Sequence, residues 1–147
     1  MELNDVTRTI VLSAIKVHTT IGPGLLESAY EACLTYELAK TGLEVQRQIP
    51  IPLIYDGIDM GIGYRLDLLV AKIAIVEVKA VENILPIHRA QVLSYLRPTK
   101  IRVGLLLNFN VRRMVDGINR LILDPVTSVS PVVNERSICQ PSRPPHR

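Results

Sequence analysis

Gly63-Tyr64-Arg65-Leu66-Asp67-Leu68-Leu69-Val70-Ala71-Lys72-Ile73-Ala74-Ile75-Val76-Glu77-Val78-Lys79-Ala80 is the stretch whose reading decides the fold. The aliphatic runs 66–70 and 73–80 read as two buried strands, with Ala71-Lys72 at the turn between them. Three charged side chains, Asp67, Glu77 and Lys79, stand inside these runs. A carboxylate there gives up its water at high cost unless something compensates it. A divalent cation with a lysine nearby is the simplest compensation, and it points to metal-assisted phosphodiester chemistry.

The register of the two strands decides whether the acids meet. Glu77 and Lys79 are two apart on one strand, so both project from one face. A regular two-residue turn at Ala71-Lys72 would set Asp67 opposite Val76, pointing away from Glu77. A three-residue loop or a bulge sets Asp67 opposite Glu77 instead, and that shift is expected. The turn is unusual, because neither Ala nor Lys favours positive φ. With the Val78 carbonyl, Asp67 and Glu77 offer hard oxygen ligands, and Mg²⁺ takes such partial protein sets. The competing reading is an ion pair of Lys79 with one carboxylate and the other solvated at a sheet edge. It leaves the apolar setting of both acids unexplained.

Outward from this core, the pattern alternates helix and strand. Asn4 or Asp5 can cap a first helix with Ile10, Val11, Ala14, Ile15 and Val17 as its apolar stripe. Gly22-Pro23-Gly24 breaks it, and a second helix covers residues 25–40 before Gly42. Val45, Arg47, Ile49 and Ile51 then alternate with polar residues and prolines, as a half-exposed edge strand would. Asp56-Gly57 marks a turn with a short strand on either side, ahead of the two strands that hold Asp67 and Glu77. A helix over 87–96 is expected to close at Arg97-Pro98, followed by a buried strand over 103–107 and a last one near 120–123. The fold class is α/β: a central mixed sheet with an antiparallel meander, flanked by helices. Residues 1–123 form the domain; 124–147 read as a Pro-rich C-terminal tail with the composition of a disordered segment.

Composition narrows the partners. Aromatic residues make up 4% of the chain, with no Trp, so no base-stacking platform for single strands is evident. A net charge of +3 neither requires nor excludes a polyanion. Cys33 and Cys139 form no metal-binding or disulfide spacing. The acidic N-terminus lacks the order of a signal peptide, and no apolar run is long enough to span a bilayer. A reducing cytoplasm and no membrane are the expectation.

Gly24-Leu25-Leu26-Glu27-Ser28-Ala29-Tyr30 resembles the signature of the GxxExxY proteins, which belong to the PD-(D/E)XK nuclease-like superfamily. The likeness continues through Gly63-Tyr64-Arg65 with Asp67, through Glu77-Val78-Lys79-Ala80, and through His88 with Gln91 and Tyr95. It extends to Gly104-Leu105-Leu106 and Asn108-Phe109, so it covers residues 4–123 in order. The resemblance implies a restriction-endonuclease-like core in which Asp67 and Glu77 are metal ligands and Lys79 completes the ExK element. It also implies that Glu27 is the helix carboxylate reaching the metal, often through water. Gln91 and Tyr95 correspond to a Gln-x-x-x-Tyr element on the following helix.

On their own residues these outer positions have plain alternatives. Glu27 suits the first turn of a helix by charge alone. Gln91 and Tyr95 share a helix face at i and i+4 with His88 one turn earlier, so they can position water or phosphate, or simply cap and pack. Arg65 precedes Asp67 by two and can hold Asp67 or a phosphate. Arg89, Arg97, Lys100 and Arg102 form a scattered basic set that a nucleic-acid backbone could follow. The expected function is Mg²⁺- or Mn²⁺-dependent hydrolysis of phosphodiester bonds in nucleic acid, DNA or RNA. The alternative is a catalytically silent nuclease-fold module that binds nucleic acid or serves as a subunit in its handling. Oligomeric state is left open.

Overall fold

The computed structural model describes residues 1–124; the expected tail lies, from residue 125 onward, outside the described residues. The chain opens with α1 (Leu3–Ile21) and α2 (Glu27–Lys40). There follow β1 (Val45–Tyr55), β2 (Ile58–Val70), β3 (Ala74–Lys79), α3 (Pro86–Thr99), β4 (Val103–Asn108), a single 3-10 turn (Met114–Gly117) and β5 (Ile118–Ile122). The strands form one five-stranded sheet in chain order. Neighbours are antiparallel except β3 and β4. That parallel pair needs a crossover, and α3 supplies it. The expected mixed sheet and meander are therefore present.

Helices cover both faces. Val6, Ile10 and Ala14 of α1 and Tyr30, Leu34 and Leu38 of α2 pack with Leu68, Val70, Val76, Val78, Leu105 and Leu107 of the sheet. On the other face Tyr95 and Leu96 of α3 pack with Ile51, Leu66 and Ile75. Gly104 lets α3 approach closely, since a Cβ there would lie 2.4 Å from Val92 Cγ1. Two expectations about helix ends need correcting. The first helix begins at Leu3 with Glu2 at the cap position and no side-chain cap bond, so neither Asn4 nor Asp5 caps it. A cap is worth about 1 kcal/mol, whereas burying each large side chain of the stripe contributes about 1.5–3 kcal/mol; packing wins. α3 runs through Pro98 to Thr99 rather than stopping before it. Pro98 offers no N–H to the Ser94 carbonyl four residues back, and that carbonyl instead accepts the Tyr64 hydroxyl at 3.3 Å.

The β1–β2 ribbon changes faces midway. Val45 packs with the α1–α2 side, and so does Leu68, the partner of Arg47. Ile49 and Leu66, paired with each other, pack with the α3 side, as do Ile51 and Tyr64. Strict alternation would keep Arg47 and Ile49 on one face. The break falls at Gln48, which adopts φ 50 in the middle of a strand, directly across from Asp67. The expected even alternation of β1 is thus interrupted where the ribbon passes the two acids. Beyond it the hairpin turns at Asp56-Gly57, both at positive φ, and exposes Leu53, Ile54, Tyr55, Ile58 and Ile62.

Candidate active site

Three residues, 71–73, connect β2 to β3. Ile73 N donates to Val70 O at 2.9 Å, with Ala71 and Lys72 both left-handed at φ 54 and 56. One residue more than a two-residue turn shifts the register to Leu68 opposite Val76, Leu69 opposite Ile75 and Val70 opposite Ala74. Extending that register by one step sets Asp67 across from Glu77, as expected. Ala71 N, donating to Glu44 O at 2.7 Å, helps hold this costly conformation.

The backbone ladder between β2 and β3 stops at this point, and the two carboxylates take its place. Asp67 N donates to Glu77 Oε1 at 3.1 Å, and Val78 N donates to Asp67 Oδ2 at 2.9 Å. The main-chain donors stay satisfied, while both acids are fixed at the opening between the strands. Lys79 shares the Glu77 face, with Nζ 3.9 Å from Glu77 Oε2. Glu27, in the first turn of α2, accepts from Ala80 N at 3.3 Å. Asp67, Glu77, Lys79 and Glu27 therefore converge at one end of β3.

Glu77 is 3% exposed. Burial, and then the charge of Asp67, push its pKa up to about 8. Burial also raises Asp67, against the hydrogen bond from Val78 N. Such shifts mark a site that disfavours its own negative charge and would accept a cation. Among the described residues no three His, Cys, Asp or Glu side chains gather closely enough to enclose an ion. The donor set is a carboxylate pair. Its hard oxygens fit a cation of the Mg²⁺ type, which takes one or two carboxylates and leaves its other positions to water and phosphate.

The α3 residues border this pair. Gln91 hydrogen-bonds the Tyr95 hydroxyl, whose pKa is pushed up to about 12 by burial and by the charge of Glu77. Tyr95 stacks on Tyr64 with ring centres 5.0 Å apart. His88 directs Nδ1 to the Leu85 amide at 2.9 Å, closing the start of α3. Arg65 is exposed and forms no ion pair with Asp67 among the described residues; it lines a hollow in the hairpin with Pro50 and Asp59. Arg97, Lys100 and Arg102 lie at the end of α3 and before β4, at the opposite end of the parallel strands from Lys79. Arg89 is bonded to Asn119. The basic set thus does not track a path through the site.

Two neighbours of Asp67 escaped the sequence reading. Gln48 Nε2 donates to Glu31 Oε1 at 2.9 Å and Oε2 at 3.1 Å, and to Asp67 Oδ1 at 3.3 Å. Glu31 is 7% exposed and also faces Arg47 Nε at 3.6 Å. Glu31 carried a signal, an acid one turn beyond Glu27 on the face that holds Tyr30. Gln48 carried none, since its place in the alternation resembled a solvent-facing position.

A family model of the PD-(D/E)XK nuclease superfamily matches residues 4–121. The chain belongs to that superfamily, and its α/β sheet with flanking helices is the fold expected of it. The match stands at the level of the superfamily; the narrower likeness to the GxxExxY proteins rests on the sequence motifs alone. Comparison with curated proteins and with solved structures returns no significant match. No helix among the described residues is long and apolar enough to cross a membrane.

Proposed function

We propose that the chain is a metal-dependent hydrolase that cleaves phosphodiester bonds in nucleic acid, acting in the cytoplasm. The observation that carries this reading is the pairing of Asp67 with Glu77 where β2 and β3 separate, with Lys79 beside them. Asp67, Glu77 and the Val78 carbonyl would hold Mg²⁺ or Mn²⁺, with Glu27 supporting from α2. A cation held there would activate a water and neutralise charge developing on the phosphate. Lys79 places its ammonium beside the same phosphate, where a preorganised charge favours the transition state. Gln91, tied to Tyr95, orients water or a phosphate oxygen, and Arg65 and His88 are assigned to contacts with the flanking strand.

The test is incubation of supercoiled plasmid, single-stranded DNA and RNA with Mg²⁺ or Mn²⁺. Cleavage is expected, and Asp67→Ala or Lys79→Ala should slow it by about 100-fold or more. Cleavage that survives both substitutions would rule out this site. A second reading, a silent module that binds nucleic acid, has one observation in its favour: an oxygen of each central acid is already occupied by a main-chain amide. Retained binding without cleavage under every cation tried would select it.

A further inference from the structure

The Asp67–Glu77 site has cations, but they face acids already. Lys79 lies against Glu77 and Arg47 against Glu31, while Glu27 and Asp67 add further negative charge. A polyanionic strand reaching these carboxylates needs positive charge outside them to hold its flanking phosphates. Arg112 and Arg113 meet that need. Both are exposed, and neither has an ion-pair partner among the described residues. Together with His18, Thr19 and Gly22 they line a hollow of about 430 Å³ that contains no acidic residue.

The loop that carries the two arginines is fastened to the end of the catalytic strand. Phe109 N donates to Lys79 O at 2.9 Å. The Asn108 side chain accepts from Val81 N at 3.1 Å and from Asn110 N at 3.1 Å, and donates to Val81 O at 2.9 Å. Phe109 stacks on Tyr30 with ring centres 4.6 Å apart, and Tyr30 donates its hydroxyl to Gly22 O at 2.6 Å. Buried His18 bonds Val111 O through Nε2 at 2.7 Å, which makes that nitrogen the protonated one. Arg112 follows Phe109 by three residues, a span of at most about 10 Å, so its backbone lies within roughly 14 Å of the Lys79 carbonyl. A duplex strand advances about 3.4 Å per nucleotide along its axis, so this reach corresponds to about four nucleotides from the Lys79 end of β3.

We propose that Arg112 and Arg113, held by His18 and by the Asn108 contacts, form a clamp for backbone phosphates of a polynucleotide strand running into the Asp67–Glu77 site. The α1 C-terminus beside the hollow disfavours an anion, so binding depends on the two guanidinium groups rather than on the helix. The ligand chemistry is a phosphate oxyanion, and a strand backbone is favoured over a free phosphate because the two cations are adjacent in an open hollow on a loop tied to the Lys79 end of β3. The assignment rests on the nuclease reading for its substrate, yet it can be tested without cleavage.

The experiment is fluorescence anisotropy of labelled duplex and single-stranded oligonucleotides with the full chain in EDTA, over a series of salt concentrations. The Arg112→Ala/Arg113→Ala variant should bind about tenfold more weakly and reduce the log–log salt slope by about two. The Arg97→Ala/Arg102→Ala control, at the far end of α3, should match the unaltered chain, and all should show the same thermal unfolding. Inorganic phosphate at a matched phosphate concentration should not displace the strand. An unchanged affinity and slope in the Arg112/Arg113 variant, displacement by phosphate alone, or no strand binding by the unaltered chain would each overturn the clamp. Strand binding that depends on the arginines, without any cleavage on adding Mg²⁺, supports the clamp and removes the hydrolase reading. Cleavage combined with arginine-independent binding does the reverse.

Discussion

At the scale of single residues, Glu77 is the most informative side chain. Its carboxyl titrates near its ordinary value in the unfolded chain and at about 8 in the folded one, because burial and Asp67 oppose its charge. The sign follows from linkage. Below the unfolded pKa both states hold the proton and the fold keeps its full stability from this group. As pH rises toward 8 the unfolded chain ionises while the folded chain does not, and stability is lost; above 8 the loss levels off. Asp67, also raised by burial, acts in the same direction. In EDTA, Glu77→Gln should therefore become progressively more stable relative to the unaltered chain between pH 4.5 and 8, by a few kcal/mol. Urea denaturation across that range measures it, and a pH-independent difference would contradict the burial argument. The acids themselves were legible in the sequence, since Asp67 and Glu77 stood in aliphatic runs. Gln48 was not, because its role comes from a left-handed backbone that local composition does not announce.

At the scale of elements, the connection between β2 and β3 decides whether there is a site. Its three residues move the register by one step, and only that step sets Asp67 across from Glu77. The need for the shift could be argued from the spacing of the acids, whereas the means could not, since Ala71 and Lys72 both pay the steric cost of positive φ. A non-glycine residue in the left-handed region costs roughly 1–2 kcal/mol, which glycine avoids while losing some chain entropy. Lys72→Gly should thus raise stability by about 0.5–1 kcal/mol without altering the site, seen as a higher denaturation midpoint with cleavage or strand binding intact. A lower midpoint would mean that Lys72 makes a contribution beyond its backbone conformation. The end of α3 offers the opposite lesson. Pro98 read as a stop signal, and it lies within the helix because Tyr64, from another element, satisfies the carbonyl it leaves free.

At the scale of the whole molecule, the sheet gathers residues from α2, β1, β2, β3 and α3 around the end of β3. A cation that binds only the folded arrangement stabilises it by mass action, by about 1.4 kcal/mol at ten times its dissociation constant. Mg²⁺ or Mn²⁺ should accordingly raise the melting temperature of the unaltered chain by a few degrees, EDTA should reverse the rise, and Asp67→Ala should abolish it. An identical rise in Asp67→Ala would place the cation elsewhere. The sequence by itself determined the fold class, the two strands that carry Asp67 and Glu77, those acids themselves and the superfamily likeness, while the short strands expected beside Asp56-Gly57 are the ends of the long β1 and β2. Those properties follow from hydrophobic periodicity and from charges set in apolar runs, which are local. Tertiary structure alone decided the face change at Gln48, the place of Glu31 beside Asp67, the continuation of α3 through Pro98 and the fastening of the Arg112–Arg113 loop to Lys79. Each of these depends on a partner that is far away in the chain and close only after folding, such as Asp67 for Gln48, Tyr64 for Ser94 and Lys79 for Phe109.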